Sequence, residues 1–121
     1  MVYERLYADF KNRIPQCKEY LEEKERKYSL DETDGIHVLF GSAVAPYVME
    51  VMQKGDKETL RNIADFMENM ENDPDIRVIE VDEQSIMEHL LGTDKKLVEK
   101  YADIWGKSTR TAFRAVGQYI E

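Results

Sequence analysis

The sequence predicts an all-α, single-domain bundle of about seven helices. Three observations carry that expectation. Apolar residues recur at i, i+3 and i+4 in one segment after another. Turn chemistry built on Gly, Pro and Asn-Asp separates those segments at short intervals. With 42% apolar and 35% charged residues in 121 positions, the chain suits one thin helical domain whose helices each show a wide face to water.

The elements follow in order. Tyr3, Leu6, Tyr7, Phe10 and Ile14 form a first helical stripe. Pro15 cannot continue that helix, but its fixed φ suits the first turn of another. The second helix carries Cys17, Tyr20, Leu21 and Tyr28 among many charges, and Asp31-Glu32-Thr33-Asp34-Gly35 is a turn. The run Ile36-His37-Val38-Leu39-Phe40-Gly41 reads either as a helix start or as a short strand. Beyond it Val44, Tyr47, Val48, Val51 and Met52 are helical in period, with a kink expected at Pro46 and an end at Gly55.

Asp56 can cap the next helix by accepting from first-turn amides, and Leu60, Ile63, Ala64, Met67 and Met70 form its apolar face. Asn72-Asp73-Pro74-Asp75 combines a cap candidate, a first-turn proline and an acid at a positive helix end. Ile76, Val78, Ile79 and Val81 are β-branched, which leaves a strand open. A helix through Ile79, Ile86, Met87 and Leu90 to Gly92 accounts better for the length. Thr93 and Gly106 bracket a short helix with Leu97, Val98, Tyr101 and Trp105. Ser108 is expected to cap a last one with Ala112, Phe113, Val116 and Ile120. Leu60, Ile63, Met67 and Ile86 are the expected core of the hairpin spanning residues 57–91.

The net charge of −8 is localised. Residues 56–91 hold eleven acids against three bases, while residues 1–55 are net −2 and residues 92–121 net +2. Repulsion from phosphates argues against nucleic acid and against anionic membranes as partners. The single cysteine, Cys17, rules out an intramolecular disulfide and fits a reducing compartment. The first residues are charged and lack an apolar signal core, and no apolar run approaches a membrane span. A cytoplasmic protein is expected.

No catalytic constellation is legible. His37 and His89 have no second imidazole or thiol at metal-ligand spacing, so neither a metal nor any other cofactor is expected. Gly41-Ser42 lacks the following glycine of a nucleophile elbow, and the six glycines are too scattered for a phosphate loop. Cys17 lies on an apolar stripe, where a thiol is inert packing. What stands out is acid. On two neighbouring helices Asp65, Glu68, Glu71, Asp75, Glu80 and Glu83 would merge, together with Asp73, Asp82 and Glu88, into one negative surface for a basic partner. Trp105 and Tyr101, beside the break at Gly106, are candidates for an aromatic anchor at that partner's surface.

Residues 57–91, with their Asn-Asp-Pro-Asp turn and the following Arg77, resemble one HEAT-type helical hairpin, although no second copy occurs at a period of about 40 residues. Three stretches, His37-Val38-Leu39-Phe40-Gly41, Asp65-Phe66-Met67-Glu68-Asn69-Met70 and Gly106-Lys107-Ser108-Thr109, resemble landmarks of a family of small bacterial helical proteins of unknown function. That family is similar in style to the acidic immunity proteins of bacterial toxin systems. The resemblance covers most of residues 36–121 and implies a helical fold, with no catalytic residue to carry over. Together with the localised charge it leads to the expectation of a non-catalytic protein that neutralises a basic partner, such as a toxin encoded next door, by stoichiometric binding. A small scaffold holding an apolar helix or peptide is the alternative, and an enzyme with an unrecognised site the second.

Overall fold

The computed structural model describes the backbone of residues 1–120 and the side chains through Gln118. Ile120, expected on the apolar face of the last helix, therefore lies outside the described side chains. Among the described residues every regular element is helical. Helix α1 (Leu6–Arg13) follows a 3-10 turn, and α2 (Lys18–Tyr28) begins after a second 3-10 turn opened by Pro15. Helix α3 covers residues 36–54, α4 is Lys57–Glu71, α5 covers residues 76–100, and α6 is Lys107–Ile120. These are six continuous helices. Asp94, at φ −156° and ψ 85°, breaks the regularity of α5 where the sequence suggested a boundary, and counting that kink gives seven.

Both segments with strand character are helical, and both contain a π-helical stretch: Phe40–Val44 inside α3 and Val81–Met87 inside α5. The first stretch ends where Pro46 enters. Pro46 has no N–H to give, and its ring would crowd the Ser42 carbonyl in a tight α-turn. The wide turn absorbs this, so the expected kink is a π-helical bulge. The two π-helical stretches pack on each other, and His37 Nδ1 lies 2.8 Å from Ser85 Oγ across that contact.

The core is continuous from α1 to α6. Phe10 is its hub, meeting Phe40, Tyr47 and Phe66 edge-on at centroid distances of 6.1, 6.4 and 5.2 Å. Leu60, Ile63, Met67 and Ile86 are all buried, as their spacing predicts. Cys17 is buried as well, and burial pushes its thiol up to about 11. Gly55 ends α3 at φ +71°, a left-handed conformation that favours glycine.

Trp105 and Tyr101 are corrected by the structure. They are 2% and 5% exposed, and they belong to the core. Each has a polar tip satisfied from inside. Tyr101 Oη donates to the Met52 carbonyl at 3.0 Å, closing the end of α3. Trp105 Nε1 donates to the Val98 carbonyl at 3.0 Å while its ring packs on Phe113. Both therefore serve the ends of α3 and α5 and offer no aromatic anchor to a partner.

Candidate functional site

The acidic residues of 56–91 separate into those the fold consumes and those it leaves uncompensated. Asp56 caps α4, accepting from Thr59 N at 3.2 Å and Thr59 Oγ1 at 2.7 Å. Asp75 caps α5, accepting from Arg77 N at 3.0 Å, and its other oxygen holds Arg77 Nη2 at 2.8 Å. The hydrogen bonds from Arg77 hold the Asp75 carboxyl below its ordinary range. The cap of α5 is thus Asp75, so Pro74 precedes the helix and does not occupy its first turn as the sequence suggested. Asp73 accepts from the Met1 ammonium at 2.7 Å.

Glu68 is consumed too. Its Oε1 accepts from Thr109 N at 2.9 Å and Thr109 Oγ1 at 2.8 Å, and its Oε2 from Ser108 N at 3.0 Å. Burial works to raise this carboxyl, but the donors outweigh it and leave Glu68 below its ordinary value. Glu68 is therefore the N-terminal cap of α6, supplied by another helix. Ser108, the expected cap, sits inside the first turn and donates its hydroxyl to Asn72 Oδ1 at 3.2 Å. The chain approaches so closely here that a Cβ on Gly106 would come within 2.4 Å of the Glu68 carboxylate.

Asp82 is the larger surprise. Placed on the outer acidic face by its charge, it is completely buried, and so the negative surface expected there is not continuous. Its neighbours Val81, Ser85, Ile86 and Met87 are buried with it in the π-helical stretch. Asp82 lies four residues before Ile86, so helical periodicity alone puts it on the core stripe. No N–H or hydroxyl donates to either of its oxygens, and Glu71 Oε2 is equally buried without a donor. The Glu71 carboxyl is within hydrogen-bonding reach of Asp82. Complete burial, and then the Glu71 carboxyl, raise Asp82 well above its ordinary value. Burial pushes Glu71 up to about 7, with the bond to Asp82 opposing the rise and the Glu83 carboxylate adding to it. Two carboxylates in that position would be doubly uncompensated, so the pair shares a proton, with Asp82 O–H donating to Glu71.

Glu71 and Glu83 line an open depression of about 470 Å³ between α4, α5 and α6, facing Lys107, Ser108 and Thr111. Asp82 lies behind Glu71. Lys107 lines the same depression, yet among the described residues no ion pair reaches Glu71, Asp82 or Glu83. No group of three or more His, Cys, Asp or Glu side chains among the described residues is disposed to hold one metal ion. Asp65 and Glu80 stand exposed on α4 and α5, away from this arrangement of hydrogen bonds. Of the six acids read from the sequence, the structure groups Glu71 with Glu83. It spends Glu68 and Asp75 on helix caps and leaves Asp65 and Glu80 in water.

No helix among the described residues is long and apolar enough to cross a membrane. No curated protein and no solved structure matches the chain. A family match does exist, and it begins at residue 7, taking in α1 and α2, which the sequence resemblance had left out. Over residues 7–121 the chain belongs to the family described as a domain of unknown function, DUF7674.

Proposed function

We propose that this protein binds a basic protein partner stoichiometrically, in the manner of an immunity protein covering a basic toxin. The observation that carries the reading is uncompensated acid. Asp65, Glu80 and Glu88 are exposed, and among the described residues no ion pair is found on them. Acids from other elements converge as well. Glu19 and Glu23 of α2 line a depression of about 420 Å³ with Glu50 of α3, the one of the three that Lys54 pairs, at 3.7 Å. A surface of one sign speeds encounter with an opposite one and discriminates against like-charged partners.

The alternative, a scaffold for an apolar helix, has in its favour a groove of about 390 Å³ between α5 and α6. Its apolar residues Leu91, Val98 and Phe113 are themselves buried and leave little apolar surface to cover. Acidic docking is the better supported reading.

The test is a charge-removal variant that spares the structural acids: Asp65→Asn with Glu80→Gln and Glu88→Gln. Binding to the basic product of a neighbouring gene is followed by stopped flow across a salt series. Slower association and a flatter salt dependence are expected, with dissociation little changed. An unchanged association rate at low salt would show that the acids are merely solvated.

A further inference from the structure

The Glu71–Asp82 pair marks where that partner engages. We propose that the depression lined by Glu71 and Glu83 receives a cationic side chain, a lysine ammonium or an arginine guanidinium, of the basic protein partner. The inference rests on the reading that the partner is basic, and it adds the position and chemistry of the contact.

Three observations converge. Asp82 is wholly buried in a π-helical stretch, with both oxygens lacking a donor. Burying a carboxyl in this way is costly and contributes nothing to packing that an apolar side chain would not, and π-helical bulges recur at functional sites. Next, Glu71 connects this buried group to the surface, since it bonds to Asp82 and lines the open depression. Finally, the surrounding charges leave the site negative. Glu68 adds to the field on the pair from α4 and Glu83 from α5, while Lys107 of α6 lines the depression without reaching ion-pair distance of either glutamate. An incoming cation supplies the missing counter-charge. At and below about pH 7 burial keeps a proton on Glu71 in addition to the one on Asp82, and this Glu71 proton passes to the solvent as the cation seats.

That release gives the site a signature that binding elsewhere on an acidic protein lacks. Glu71 titrates near 7, so the proton must be expelled at pH 6 and is mostly gone at pH 8. Linkage makes the affinity for a cation rise about tenfold between those values. The experiment is calorimetric titration of the full chain with an acetylated, amidated oligo-arginine peptide at pH 6, 7 and 8. At pH 7 it is done in phosphate and in Tris, whose different ionisation heats report proton release.

The expected result is the tenfold rise, with about half a proton released at pH 7. Both should be lost in Glu71→Gln, and affinity weakened several-fold in Glu83→Gln. Glu83 is half-exposed, so that second variant keeps the test independent of any folding defect in the first. Salt-sensitive binding that is independent of pH and unaltered by Glu83→Gln overturns this site and leaves the basic-partner reading standing. No binding at low ionic strength overturns both. Spermidine matching the peptide in affinity and proton release also overturns the proposal, because the occupant would then be a small polyamine.

Discussion

Replacing Glu71 with glutamine should flatten the dependence of stability on pH. In the folded protein Glu71 rises from 4.5 to about 7 because of burial and the Glu83 carboxylate. An acid raised on folding contributes stability that is fully present below its unfolded value and is lost as pH climbs through the folded one. The window is therefore pH 4.5 to somewhat above 7. At about 1.4 kcal/mol per pH unit the full rise corresponds to a ceiling of about 3.4 kcal/mol. Glu71 is only half-buried, and water screening reduces this to about 1–2 kcal/mol. The wild-type protein should lose that amount between pH 5 and pH 8. In Glu71→Gln no carboxyl titrates at this position, so that part of the slope should vanish. The two proteins should match at pH 5, with the variant more stable by about 1–2 kcal/mol at pH 8. Urea denaturation followed by circular dichroism at the two pH values measures this. Equal destabilisation of the variant at both would refute the raised Glu71 carboxyl, because it would mean that Glu71 stabilises the fold as an ordinary ionised group.

The helix cap and the core give two further expectations. Glu68→Ala should lower stability by about 1–3 kcal/mol, since it strands amides of Ser108 and Thr109 at the start of α6. Gly106→Ala should cost about 1–2 kcal/mol by pushing the same carboxylate aside, and the double variant should fall short of the sum; additive losses in a double-mutant cycle would disprove the shared mechanism. Ile63→Ala should cost about 2–5 kcal/mol through the cavity it leaves, and an unchanged urea midpoint would place Ile63 outside the core.

The helices were legible because their apolar residues keep a 3.6-residue period, and Leu60, Ile63, Met67 and Ile86 fell where that period puts them. Residues 36–40 and 76–81 were ambiguous for a physical reason. Both lead into π-helical turns, whose wider period scatters a stripe that an α-helix would keep narrow. The site was read less well than the fold, because charge was taken as a sign of exposure. That rule holds for Asp65 and Glu80. It fails for Asp82, whose spacing from Ile86 already favoured the core, and for Glu68, whose partners Ser108 and Thr109 are about forty residues away in sequence and have no local signature. Trp105 and Tyr101 misled in the opposite direction. Their place beside the break at Gly106 suggested an exposed anchor, whereas each polar tip is used on a backbone carbonyl inside the protein.

The cap that α4 lends to α6 ties a central helix and the C-terminal one into one cooperative opening unit. A helix with its own cap can fray and reform alone. Here the first turn of α6 is closed by a carboxylate that is in position only while the last turn of α4 is intact. Amide hydrogen exchange at Ser108, Thr109 and the final residues of α4 should consequently occur with one common protection factor. As an isolated peptide α6 would start with bare amides and be a poor helix.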